Sequence, residues 1–406
     1  MLSKVDNLKR ISEELIHEKA SLWYVCDDAD FKIMIKASSA TIRALINGCR
    51  IVFEFGKDEN EIPNILYAGV RIYDDPVHYI SVTGVQRFEE EHAAIVRIIK
   101  NELIPVHFYN ELCICVATSI ISFDPVNRKQ VLKLVGNLKE LYSGDFTRQI
   151  SHSLDCFQFT LGITRQFDTV HKINTISLEG ELTEWKISDN NFIGVNDQGK
   201  VIINDQNEGA IFENQVWAAL ESIFNQDIYL RPQIKSKKSF RELTDIFAYS
   251  QYGLFLVETK ALGILNKDAE RSMDKKVARV QKQIEKGLNQ LTGAVKKIRE
   301  NELVYSSKEK IVEFDRTLLP HCIVLVSELL PFGKWDAVVM KMFQTMIDQP
   351  MQLHVMDLIE FMRYIGYSKG SKERFDYLLM QRTEHLVKHQ NIHIQLFGPN
   401  DVQLKG

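Results

Sequence analysis

The chain has 406 residues, more than a single core ordinarily serves, and its composition, 45% hydrophobic and 26% charged, is that of a globular protein rather than a disordered or disulfide-dense one. A net charge of −4 excludes a general polyanion binder. Six scattered cysteines with no CxxC pair, no apolar signal-peptide core and no apolar run of spanning length lead us to expect a cytoplasmic, reduced chain with no membrane partner.

The first 200 residues alternate helical and strand-like patterns. A helix is expected at 5–22, then β-prone runs at 23–26, 31–35, 50–55, 65–73 and 79–82. Residues 89–103 show helical spacing through Ala93, Ile95, Val96, Ile98 and Ile99. The apolar stretch 106–123 predicts one or two buried strands, with Cys113 and Cys115 on one strand face as core residues rather than zinc ligands. Pro125 opens a helix expected to run through 141, and strands are expected at 156–163 and 173–178. This half carries no legible catalytic or metal-binding constellation. The polar, turn-rich stretch 187–209 (SDNN, NDQG, NDQNEG) places a domain boundary near 200. The expectation is an N-terminal α+β domain, 1–200, that senses a substrate or partner or mediates homo-oligomerisation, and a second domain, 201–406.

The second half opens with a helix at 210–224, where Phe212, Val216, Leu220 and Phe224 recur one turn apart. A strand is expected at 227–234. Two more, 244–249 and 254–259, are joined through Ser250-Gln251-Tyr252-Gly253, a hairpin signal. A long helix follows the apolar line Met273, Val277, Val280, Ile284, Leu288, Leu291, Val295 and Ile298. Then come a buried strand at 323–326, a helix at 335–347, a strand at 353–356, helices at 358–365 and 372–388, and a last short strand at 393–397. The core order of helix, three strands, helix, strand makes the fold class α/β (α+β) with a mixed sheet. His321, His385, His389 and His393 read as surface histidines, with no third ligand beside the His385/His389 pair.

Chemistry concentrates at the end of the third strand. Glu258 and Lys260 alternate onto one face of an apolar strand, and the hairpin can set Asp245 beside Glu258. Two carboxylates and an ammonium at the end of such a strand are costly to bury unless a metal or ion pair neutralises them. Oxygen ligands of this kind suit Mg²⁺. Phosphodiester hydrolysis needs an activated water and a neutralised phosphate, which a bound cation and Lys260 can provide. Charge patterning agrees: between Arg231 and Lys310 there are 18 Lys/Arg against 10 Asp/Glu, an excess of +8 that leaves −12 for the remainder. Lys235, Lys237, Lys238 and Arg241, and then Lys275, Lys276, Arg279, Lys282, Lys286, Lys296, Lys297 and Arg299, are candidate phosphate contacts.

Thr244-Asp245 followed by Glu258-Thr259-Lys260 resembles the motif of the PD-(D/E)XK nuclease superfamily, without its proline. Two flanking segments extend the resemblance. Gly209-Ala210-Ile211-Phe212-Glu213-Asn214-Gln215-Val216 is similar to the family's opening helix, and Gly287-Leu288-Asn289-Gln290-Leu291 to a downstream helix of the NERD-like subfamily. The resemblance spans about 205–330, extending toward 365. It implies a restriction-endonuclease-like αβββαβ core, Mg²⁺ (or Mn²⁺) held by Asp245, Glu258, Thr259 and Glu213, and catalysis supported by Lys260 and Gln290, with Gln283 the alternative to Gln290. It also implies a DNA nuclease of the kind found in bacterial anti-phage defence. An RNA- or tRNA-directed nuclease and an inactive nucleic-acid-binding scaffold remain the alternatives.

Overall fold

The computed structural model describes residues 4–18, 20–27, 30–61, 63–73, 79–163, 170–193, 198–203, 207–236, 239–261, 273–306, 310–330 and 333–394. Its contacts cluster into two compact units, Met1–Ser188 and Asp189–Gly406. Among the described residues no sheet is shared between them, and the architecture is mixed α/β with ten α-helices. No helix there is long and apolar enough to cross a membrane.

The first unit comprises α1 (Lys4–His17), β1 (Ser21–Cys26), β2 (Phe31–Lys36), α2 (Ser39–Ile46), β3 (Arg50–Asp58), β4 (Ile65–Tyr73), β5 (Ile80–Gln86), α3 (Glu89–Lys100), β6 (Ile104–Tyr109), β7 (Cys115–Phe123), α4 (Pro125–Val135), α5 (Arg148–Thr160) and β8 (Asn174–Ile187). Its eight strands form one sheet in the order β1-β2-β6-β7-β8-β3-β4-β5, antiparallel except between β2 and β6.

Three expectations are corrected here. The segment 156–163 does not form a strand: Cys156 to Thr160 ends α5, whose first turn is capped by Thr147. Its buried stripe, Ile150, Ser153, Cys156 and Phe157, has helical spacing, hidden in the sequence because only part of it is apolar. The helix from Pro125 stops at Gly136 (φ +65), and a single 3-10 turn, Leu138–Glu140, follows. Cys113 sits in a turn at φ +61 rather than in a strand, so it shares no strand face with Cys115; its thiol donates to the Leu15 carbonyl.

The second unit begins with the hairpin β9 (Asn190–Ile193) and β10 (Gln198–Val201), followed by α6 (Glu208–Phe224). The expected single strand at 227–234 is two strands, β11 (Ile228–Leu230) and β12 (Gln233–Ser236), in different sheets. Arg231 at φ +48, followed by Pro232, turns the chain between them. β13 (Ser239–Glu242) pairs back on β12, so Lys235 and Arg241 stand on strands rather than in a loop; Lys237 and Lys238 lie outside the described residues. Next come β14 (Ile246–Tyr249), β15 (Leu254–Lys260), α7 (Met273–Arg299), β16 (Val304–Tyr305), β17 (Pro320–Val326), α8 (Asp336–Asp348), β18 (Gln352–Asp357), α9 (Leu358–Ser368) and α10 (Lys372–His389). His393 and Ile394 are not in a strand, and 395–397 lie outside the described residues.

The main sheet runs β11-β14-β15-β17-β18, with antiparallel pairing from β11 to β15 and parallel pairing from β15 to β18. On one face Phe247, Leu254 and Leu256 pack with Ile284, Leu288, Leu291 and Val295 of α7. On the other, Phe255 meets Phe224 of α6 (ring centroids 4.8 Å) and Phe375 of α10 (5.5 Å). His321, expected at the surface, is buried on β17 and stacks on Phe255. It hydrogen-bonds with His354 at 3.1 Å and Asp376 at 2.9 Å. Burial, with the neighbouring His321 and Arg382 charges, holds His354 well below the usual imidazole range. His385 and His389 are exposed, as expected for surface residues.

Candidate active site

Leu254 to Val257 are fully buried, so β15 enters the core as an apolar strand and ends in Glu258-Thr259-Lys260. β14 pairs with it in the register Ile246↔Val257, and the same register one residue further sets Asp245 opposite Glu258. The face that buries Leu254 and Leu256 against α7 continues into Glu258 and Lys260.

Asp245 is 7% exposed and Glu258 1%. Thr259 fixes the Asp245 carboxylate, donating to Oδ2 from its backbone N–H at 2.6 Å and its hydroxyl at 2.9 Å. Lys260 Nζ donates to Glu258 Oε2 at 2.6 Å. Burial, and then the nearby Asp245 charge, push the Glu258 carboxyl above its usual range, against the lowering effect of Lys260 and Thr244.

A further carboxylate was missed in the sequence. Glu242 ends β13 and meets Asp245, and its carboxyl is pushed up to about 7, first by burial, then by the charge and hydrogen bond of Asp245 and the charge of Glu213. Its signal was proximity: it stands three residues before Asp245, in a segment the sequence read as loop. Glu213 lies in the same field, raised by burial and by Asp245. Its Oε2 is bound by Arg231, whose Nε donates at 2.8 Å and whose backbone N–H donates to the Asp245 carbonyl at 2.7 Å. Arg231, unremarked in the sequence, thus ties α6 to the site.

Gln290 stands on α7 and, with Glu258, Glu242 and Thr244, lines a cleft of about 350 Å³. Gly287, one turn earlier, lets the helix approach: a Cβ there would lie 2.9 Å from Val324 Cγ1 and 3.5 Å from Lys260 Cε. Of the candidate phosphate contacts, Arg241, Lys296 and Lys297 reach the cleft wall. Lys297 also pairs with Glu300 and Glu302, both at 2.8 Å. Arg299 is occupied elsewhere, donating to the Arg316 and Leu318 carbonyls.

The donor set is all oxygen, and among the described residues the buried Glu258 carboxylate is paired with the Lys260 ammonium, a balance that suits a hard divalent cation. Among the described residues no three of these carboxylates bring an oxygen each within 4.8 Å of one another. Of the four residues expected at the cation, Asp245 and Glu258 lie in each other's field, Thr259 donates to Asp245, and Glu213 is paired with Arg231.

This crowding makes a pH-dependent prediction. Carboxyls raised above their unfolded value of about 4.3 contribute stability below that pH and lose it as pH rises through the folded value, about 7 for Glu242. A cation that relieves the repulsion should stabilise most where the carboxylates are charged. Ca²⁺ should therefore raise the melting temperature more at pH about 8 than at about 5, the stabilisation at the higher pH approaching ~2.7 kcal/mol at a hundredfold excess over Kd. Equal shifts at both pH values, or none, would exclude cation binding at this cluster.

Comparison of the chain with known protein families, curated proteins and solved structures finds no match.

Proposed function

We propose that the second unit is a Mg²⁺-dependent nuclease hydrolysing DNA phosphodiester bonds on a PD-(D/E)XK, restriction-endonuclease-like core. The observation that carries this reading is Asp245 opposite Glu258 at the end of a buried strand, with Lys260 at 2.6 Å from Glu258 and Gln290 beside it on a cleft. The order α6, antiparallel β11, β14 and β15, then α7 and parallel β17 supports the αβββαβ core.

Bound by Asp245 and Glu258, Mg²⁺ (or Mn²⁺) would supply Lewis-acid polarisation of the scissile phosphate. The chain's own groups do the rest. Thr259 locks the Asp245 carboxylate with two donors, so that ligand is preorganised. Lys260 orients the attacking water and offsets charge developing on the phosphoryl oxygens. Gln290 can hydrogen-bond water or phosphate across the cleft, and Arg241 and Lys296 on its wall supply sequence-independent phosphate contacts. DNA as substrate, and a role as an anti-phage effector, come from the family resemblance.

Purified protein incubated with supercoiled plasmid, single-stranded DNA or RNA, each with Mg²⁺, Mn²⁺ or EDTA, tests the proposal. Plasmid nicking that requires the cation and stops in EDTA is the expected result. Cleavage confined to RNA would replace the substrate, and binding with no cleavage under any condition would replace the enzyme with a scaffold.

A further inference from the structure

A second cluster lies in the first unit, where the sequence showed no ligand spacing. β3 ends at Asp58, whose side chain is fully buried. Two residues earlier Gly56 leaves its strand face bare: a Cβ there would stand 2.5 Å from Phe157 Cε2. That bare backbone lets α5 lie directly on the sheet, with the Phe157 ring stacked on Tyr67 of β4 (centroids 5.0 Å apart). The close seat brings Ser153 to Asp58. The Ser153 hydroxyl donates to Asp58 Oδ2 and receives the Tyr67 hydroxyl, and Asn60 donates to Oδ1 from its backbone N–H and its amide, at 3.1 and 3.2 Å.

His171, shortly before β8, places Nε2 at 2.9 Å from Asp58 Oδ2. The carboxylate makes Nε2 the protonated nitrogen, so Nδ1 presents its lone pair to Cys156 Sγ at 3.5 Å. His152, one helical turn before Cys156, has Nε2 at 3.9 Å from the same sulfur. The three ligand atoms lie within 4.8 Å of one another, the one group of three His, Cys, Asp or Glu side chains that does so among the described residues.

Zn²⁺ with Zn–S of about 2.3 Å and Zn–N of about 2.0–2.1 Å at tetrahedral angles needs a sulfur–nitrogen separation of roughly 3.5 Å. The observed 3.5 Å to His171 matches that edge, and the 3.9 Å to His152 lies about 0.4 Å outside it. A carboxylate behind an imidazole is also how metal-binding histidines are oriented and made more basic. Cys156, His171 and Asp58 have a second meaning, a thiol nucleophile with an oriented base. The packing disfavours it: Cys156 is fully buried beneath α5, and a second imidazole on the sulfur serves a metal rather than a nucleophile.

We propose that His152, Cys156 and His171 form a Zn²⁺ site, with Asp58 as the positioning residue for His171 and water as the fourth ligand. Zn²⁺ binds by displacing the Cys156 thiol proton to solvent, while both imidazoles coordinate as neutral bases. His171 is one-third exposed, which leaves the fourth position open to water. The site pins α5 to the end of β3 and to the approach to β8, stabilising the first unit. It is independent of the cation site of the second unit, whose ligands are oxygens and whose preferred ion is hard.

The test uses the full-length protein stripped with a chelator and titrated with Zn²⁺ and Co²⁺. Co²⁺ should give a near-ultraviolet sulfur-to-metal charge-transfer band with the intense visible bands of four-coordination, saturating at one per chain, and Zn²⁺ should displace it. Cys156→Ser should abolish the charge-transfer band, and Asp58→Asn should weaken Zn²⁺ binding about 10–100-fold while keeping that band. Glu258→Ala, in the second unit, should leave the sulfur-to-metal charge-transfer band unchanged, with circular dichroism confirming that each variant is folded. The wild-type Co²⁺ spectrum needs no variant and decides the question if one fails to fold. Absence of the band from wild-type protein would overturn the site. So would Cys156 alkylation by iodoacetamide at a rate Zn²⁺ does not slow, which would point to a nucleophile.

Discussion

Glu258→Ala should abolish plasmid nicking, lowering the rate by at least about 10²–10³-fold, because the group removed acts only as part of a unit with Asp245 and Lys260. Asp245→Ala and Lys260→Ala should fall to the same floor, and pairs of these changes should lose little more than the singles. The folded state should survive the carboxylate changes. The nearby Asp245 charge pushes the Glu258 carboxyl up, and in the absence of cation either carboxylate change removes that repulsion. Lys260→Ala differs: it leaves Glu258 buried without its 2.6 Å partner, so it should also lower stability at high pH. Gln290→Ala and Glu213→Ala should cost less, roughly tenfold, because Gln290 lies on the exposed cleft wall and Glu213 is already paired with Arg231. DNA binding should change little in all five, since phosphate contacts are many and separate. Nicking is measured at matched concentration, with circular dichroism as the folding control. Wild-type nicking by folded Glu258→Ala would remove the proposed mechanism.

For stability, the largest single effect should come from Arg382. Its guanidinium is fully buried on α10, with Nε donating to Glu360 Oε1 at 2.9 Å. A terminal nitrogen reaches the Val355 carbonyl at 2.6 Å and the Ile392 carbonyl at 3.2 Å. One side chain therefore joins α10 to α9, to β18 and to the segment after α10. Removing one partner of a buried pair strands the other charge, so Arg382→Met should destabilise the second unit by about 3–5 kcal/mol, and Glu360→Leu by a similar amount. The double variant should recover most of that loss, because two apolar side chains need no partner. Arg382→Lys should not rescue, since an ammonium cannot span the same forked set of acceptors. Urea unfolding in a Trp23→Phe, Trp185→Phe background, followed through Trp217 and Trp335, reads the second unit. Single variants within about 1 kcal/mol of wild type would mean the pair is not stability-determining.

Local patterning was enough to reveal the apolar strand ending in Glu258-Thr259-Lys260, the hairpin before it and the stripe of α7, because a continuous apolar run marks a strand buried on both faces and steps of three and four mark a helix buried on one. Gln290 was named only from the resemblance of Gly287-Leu288-Asn289-Gln290-Leu291 to a downstream helix of the NERD-like subfamily, but Asp245 could be named beforehand because the hairpin sets it beside Glu258. Glu242 and Arg231 could not. Arg231 turns left-handed and sends the chain into a second sheet, and only the return of β13 brings Glu242 to Asp245. α5 was misread because its buried stripe is interrupted by Ser153, which joins the buried face only through its hydrogen bonds with Tyr67 and Asp58. His321 became a core residue only when Phe255, His354 and Asp376 closed around it. His171 meets Asp58 across 113 residues. Periodicity reports which face of an element is buried. It carries no information on which distant polar group will be waiting there, since that depends on strand order and helix seating, and the whole folded chain decides both.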